Sequence, residues 1–157
     1  MIRNLFPRLV CAMVLLVCVT TVSVQDVAAD ERHGKSIVGS WSVVVSTNLG
    51  LPPAVNLSTI NRDGTMTNSD SQFGTGHGVW KHISGGRIAY KFMTPILMTS
   101  DLVPPGSMLT VTGTWTIDSG GHTASGPYEA VVRDAFGNLV FPFFGMVELS
   151  RVTLGDN

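Results

Sequence analysis

The chain has 157 residues, a formal net charge of −1, 13% charged and 44% hydrophobic residues, 17 glycines and two cysteines. That length bounds the chain to one domain. No Lys/Arg run and no interleaving of aromatic and basic residues occurs, which argues against nucleic acid as a partner.

The first element is a secretory signal over residues 1–29. Arg3 and Arg8 precede an uncharged run of 16 residues, Leu9 to Val24, and small residues follow at Val27-Ala28-Ala29. The run is short against the ~20 residues of a membrane span, so cleavage after Ala29 is expected, with no stable membrane anchor afterwards. The expected location is secreted or periplasmic. Both cysteines, Cys11 and Cys18, lie inside the signal, so the mature chain has no disulfide and no thiol chemistry. Removing Arg3, Arg8 and Asp26 leaves eight bases against ten acids, a charge of −2.

Residues 30–38 read as a polar, loosely held lead-in, and residues 153–157 as a tail. Between them, 39–152 form one β domain. Apolar residues alternate between turn signals about ten residues apart, and no helical periodicity appears. Eight strands are expected: 39–47, 55–62, 65–70, 77–83, 87–97, 107–117, 122–133 and 139–151. No gap is long enough for a crossover helix, so neighbours pair antiparallel. The second, fourth and sixth turns (DG, SGG, SGG) are tight; the other four (LGLPPA, SQFGTG, TSDLVPPG, AFGN) are longer. Alternate turns of a meander lie at opposite ends. The expected fold is therefore all-β: an eight-stranded antiparallel up-and-down barrel, closed at one end by tight hairpins and carrying loops at the other.

All three tryptophans, Trp41, Trp80 and Trp115, follow a Gly-x pair, and the strand directions bring them to the tight end as a floor. In the sixth strand Thr110, Thr112, Thr114 and Thr116 share one face, while Leu109, Val111, Gly113, Trp115 and Ile117 share the other. Threonine suits the solvated face and the apolar set the interior. Trp80 and His82 point inward by the matching position.

Gly39-Ser40-Trp41 opening the first strand, the proline-bearing first loop and Arg151 ending the last strand resemble the lipocalin and wider calycin pattern. The resemblance covers about 39–151 and implies that Arg151 packs across Trp41 at the closed end. A second barrel family, that of allene oxide cyclase and dirigent proteins, fits the same strand count.

The expected inward set is Ile88, Phe92, Val132, Phe141, Phe143 and Val147, with Val111, and the polar His82, Tyr90, His122, Tyr128, Asn68 and Asp70. Gly78, Gly113, Gly126 and Gly145 also fall inward, either as bends or as room for a ligand. Met98, Met108, Leu51 and Leu102, with Pro52, Pro53, Pro104 and Pro105, would make an apolar rim. Phe144 and Met146 fall outward and suit a subunit contact, so a monomer or a small homo-oligomer is expected.

No nucleophile, phosphate-loop or metalloprotease motif is present. His77 and His82 fall on opposite faces, so no metal site and no cofactor is expected. His82 and His122 read as structural. An apolar lumen with a few polar groups suits a small hydrophobic ligand held by Tyr90, Phe92, Val111, Tyr128, Phe141 and Phe143. The alternative is a cofactor-independent isomerase, cyclase or lyase acting on a hydrophobic substrate, with Tyr90, Tyr128 and Asp70 as catalytic candidates. A third reading is a filled barrel working through its loops. Glu129 and Glu148 fall outward by parity. Asn56-Leu57-Ser58 is a glycosylation sequon, meaningful in a eukaryotic secretory host.

Overall fold

A computed structural model describes residues 36–70, 73–97 and 102–154. The signal segment 1–29, most of the lead-in, Met98 and the end of the tail lie outside the described residues. Eight strands follow in chain order: β1 (Gly39–Thr47), β2 (Ala54–Ile60), β3 (Thr65–Asp70), β4 (Gly74–Ile83), β5 (Arg87–Pro95), β6 (Met108–Ile117), β7 (Thr123–Arg133) and β8 (Leu139–Arg151). Each pairs antiparallel with its neighbour in sequence, and β8 returns to β1, so the sheet closes as an up-and-down barrel.

Alternation builds the wall. In β6 Leu109, Val111, Trp115 and Ile117 are buried, and the intervening threonines lie on the outer face. In β7 the buried set is Ala124, Gly126, Tyr128, Ala130 and Val132. The strands are tilted, as closure requires. Stepping across the sheet from the floor residue Trp41 leads to Ser58, then Asn68, then Gly76 of β4, rising toward the looped end.

The tight hairpins supply their own caps. Asp63 Oδ1 accepts from the backbone N–H and the hydroxyl of Thr65, and Gly64 adopts φ +84°. Asp118 Oδ1 accepts from the backbone N–H of His122 and Thr123 across the β6–β7 turn. At the looped end Asp134 accepts from the N–H of Phe136 and Asn138 and from the Asn138 side chain. These are side-chain substitutes for the backbone bonds a turn lacks.

The closed end is fastened by Arg151. Its guanidinium carbon stands 4.3 Å from the centroid of the Trp41 ring. Its nitrogens donate to the carbonyls of Gly121 (2.7 Å), Val38 (2.9 Å) and Ser36. Gly39, at φ +140°, leaves the passage: a Cβ there would meet Arg151 Nη1 at 2.7 Å. Residues 36–38 are therefore part of the base, which differs from the loose lead-in expected of a polar segment. Ile37 is fully buried and its carbonyl accepts from Trp41 Nε1 at 2.8 Å. One apolar side chain after a polar run is enough to plug the base once Arg151 holds the flanking carbonyls.

Two expectations follow. Arg151→Ala removes three hydrogen bonds from a charged donor and a cation–π contact, and should cost about 2–4 kcal/mol in denaturant unfolding. Arg151→Lys should recover less than half of that, because one ammonium cannot address three carbonyls from a planar fork. The acid limb follows from the turn caps. The carboxyls of Asp63, Asp118 and Asp134 are held below the ordinary carboxylate range, chiefly by the Thr65 side chain, the Thr123 N–H and the Asn138 side chain in that order. Groups depressed by folding stabilise the fold above their unfolded pKa, near 4, and that stability is lost as pH falls through the folded value. The melting temperature should be flat from about pH 7 to about 5 and fall below about 4. Asp134→Asn should shrink the drop.

Candidate ligand cavity

Above the floor the barrel is hollow. A cavity of about 470 Å³ opens toward the looped end. Its base is Trp115, Met66 and Tyr90, its wall includes Val43, Phe92, Val111, Phe141, Phe143 and Val147, and its mouth is framed by Leu49, Leu51, Pro52, Pro53, Phe73, Ile96 and Val103. The volume lies within the range of about 300–1,000 Å³ typical of small-molecule sites.

The aromatic rings are held by one another. Tyr90 stacks on Trp115 with centroids 4.1 Å apart and an interplanar angle of 25°. Phe92 lies nearly parallel to Tyr90 at 6.3 Å. On the other side Phe143 meets Tyr128 edge-on at 6.2 Å and lies tilted by 38° against Phe141 at 6.0 Å. Such offset and edge-on pairs are worth about 0.5–1.5 kcal/mol each beyond their burial.

The inward glycines serve these rings. Gly113 is the cross-strand partner of both Tyr90 and Tyr128, and Gly145 is also a partner of Tyr128. A Cβ on Gly113 would stand 2.6 Å from the Tyr90 hydroxyl, and one on Gly145 would stand 2.9 Å from Tyr128 Cε1. On Gly78 a Cβ would collide with Phe92 Cβ, and on Gly126 with the Thr114 carbonyl. The glycines therefore permit close approach of rings and backbone. They do not themselves empty the lumen.

The two tyrosines differ in their hydroxyls. Tyr128 donates to the Ser46 carbonyl at 3.3 Å. Tyr90 is buried, and burial pushes its pKa up; the nearby Trp115 indole opposes this and Tyr128 adds to it. The Trp115 Nε1 itself makes no well-formed hydrogen bond. Burial also raises Tyr128. Both phenols are thus protonated at neutral pH, donors rather than bases. Asp70 lines the cavity near the mouth, and its Oδ1 accepts the Phe73 N–H at 2.9 Å.

Several sequence readings are corrected. His82 shares the inward parity of Trp80 but is exposed, edge-on to that ring at 5.1 Å. His122 sits in the turn before β7 and is exposed. Leu102 is exposed, and Met108, Pro104 and Pro105 do not line the cavity; Phe73, Ile96 and Val103 stand there instead. Ile96 is drawn in because its N–H donates to Ser107 across the loop at 2.9 Å.

The sequence reading placed β2 but left its faces unassigned. Its inward residues are Asn56, Ser58 and Ile60, while Val55 and Leu57 are 62% and 60% exposed. Asn56 of the glycosylation sequon faces the lumen in the folded barrel and is 9% exposed. Ser58 donates to Asn68 Oδ1 across the β2–β3 pair at 2.7 Å, whereas Asn56 Oδ1 has no hydrogen-bond partner. The phase of Ile60, two residues before the Asp63-Gly64 hairpin, was the signal that could have placed Asn56 and Ser58 inside.

Comparisons with protein-family models, with curated proteins and with solved structures return no match to this chain. Among the described residues no group of three or more His, Cys, Asp or Glu side chains could hold a metal ion.

The tight glycines give a direct test of the ring scaffold. Gly145→Ala drives its new methyl into the Ser46 carbonyl, a clash that only backbone movement relieves. We expect a loss of about 1–3 kcal/mol in denaturant unfolding. Gly50→Ala, with open space around it but φ +71°, should cost less, about 1 kcal/mol.

Proposed function

We propose that the protein is a secreted or periplasmic calycin-like barrel that binds one small hydrophobic molecule in its lumen. The observation that carries this reading is the 470 Å³ cavity above a sealed floor, walled by apolar and aromatic side chains. The uncharged run of residues 9–24 supports export. The Gly39-x-Trp41 opening and the Arg151 contact are what it shares with the lipocalin and calycin pattern.

The energetics suit such a role. A ligand that removes about 500 Å² of apolar surface from water, counting both sides, gains about 12 kcal/mol at ~25 cal/mol per Å². Association costs at least about 4 kcal/mol of that. The remainder corresponds to a dissociation constant near micromolar.

The lining favours retention over conversion. Both phenols are held protonated, Tyr128 is engaged with a backbone carbonyl, and Asp70, the one carboxylate of the lining among the described residues, stands near the mouth and is anchored to Phe73. A cofactor-free isomerase, cyclase or lyase would need a base beside the reacting carbon.

Diphenylhexatriene, an apolar dye without polar atoms, tests the reading. Its fluorescence should rise on titration with the protein, saturate at one molecule per chain, and quench Trp115. Val147→Trp, which fills the lumen, should weaken binding at least tenfold. No binding, or equal binding by the filled variant, would remove the proposal.

A further inference from the structure

The lumen is apolar on most sides but not on all. One wall, built by β2 and β3, is polar. Ser58 and Asn68 face each other in the pair register, and Leu57 pairs with Ser69. The next inward rung toward the mouth is Asn56 and Asp70, and all four polar side chains line the cavity. The opposite wall is Phe92, Val111, Val132, Phe141 and Phe143.

Within that strip, Ser58 and Asn68 satisfy each other. Asn56 Oδ1 does not: it is buried, lines the cavity and has no hydrogen-bond partner. A buried acceptor left unpaired costs about 1–3 kcal/mol, so a donor supplied from the lumen would be favoured there. The charge of the lining narrows the donor further. Among the described residues Asp70 is the one carboxylate of the lining, and no Lys, Arg or His lines the cavity. An anionic head would meet a like charge and no cation, in surroundings that solvate it poorly.

Resting on the lumen-binding reading, we infer that the ligand is an amphiphile whose head is a hydrogen-bond donor without negative charge, a hydroxyl or an amine, set against Asn56 and Asp70. Its apolar body lies against Phe92, Phe141 and Phe143. Asn56 and Asp70 then set the specificity together: Asn56 Oδ1 accepts from an alcohol or amine head, and Asp70 disfavours a carboxylate with the same chain.

Calorimetry with decanol, decylamine and decanoate on the full chain tests this, with diphenylhexatriene as a control for the lumen itself. Decanol or decylamine should bind at least tenfold more tightly than decanoate. Asn56→Leu, close in volume and without the acceptor, should lower the affinity for decanol relative to that for diphenylhexatriene about fivefold to tenfold. Decanoate binding as tightly as decanol, or that relative affinity unaffected by Asn56→Leu, would overturn the inference. If the leucine variant does not fold, the comparison of the three heads on the natural chain decides it. Failure of diphenylhexatriene to bind the natural chain would instead strike the lumen-binding reading, so the two failures are distinguishable.

Discussion

A barrel must join its first strand to its last, and here that seam ends in one side chain. Arg151 is the last residue of β8 and a cross-strand partner of Trp41 in β1. Its guanidinium covers the Trp41 ring and gathers carbonyls from the lead-in and from the β6–β7 turn. Three parts of the chain distant in sequence are thereby tied at one point. Ile37, Trp41, Ile60, Ile88 and Leu149, all essentially without exposure, form the solid layer above that tie. Trp80 closes the same end by donating to the Asn61 carbonyl at 2.8 Å. Burial works against the Arg151 charge and Asp118 works for it, while three carbonyl acceptors solvate the ion within the base.

A solid base lets the upper lumen stay open. An eight-stranded barrel is wide enough to be filled by side chains or to hold one small ligand. In this chain the inward positions of the upper wall alternate rings with glycines. Tyr90 and Tyr128 lie over Gly113, and Phe92 lies against Gly78. Rings folded onto the wall occupy the space a Cβ would have taken and leave the centre free. The same packing fixes the phenols: burial keeps them protonated, and stacking on Trp115 or donation to Ser46 limits their freedom. The lumen is thus suited to enclosing an apolar body, with the side-chain amides and the carboxylate found among its described lining residues gathered on the β2–β3 wall.

Where the local pattern and the fold agreed, the sequence was legible. The alternating threonines of β6 declared its outer face, and the DG and SGG turns declared which end was tight. Parity alone then assigned Tyr90, Phe92, Val111, Tyr128, Phe141 and Phe143 to the interior, and all six line the cavity. Legibility failed where polarity and orientation part company. In β2 the apolar Val55 and Leu57 face solvent and Asn56 and Ser58 face the lumen, so hydrophobic patterning points the wrong way. His122 failed for a different reason: it sits in the turn before β7, where strand parity no longer sets direction, while His82 is exposed beside the Trp80 ring. Ile37 lies outside any strand, and its burial depends on carbonyls that Arg151 reaches from the far end of the chain.

The most direct test is native mass spectrometry of the purified chain after incubation with a hydrophobic extract of its host. The account predicts one small molecule retained per chain, unchanged in mass, and its loss when the lumen is filled by a bulkier side chain at Val111. An extract that leaves no bound compound, or a compound retained equally by the filled variant, would contradict it. A compound released with altered mass would replace binding with catalysis.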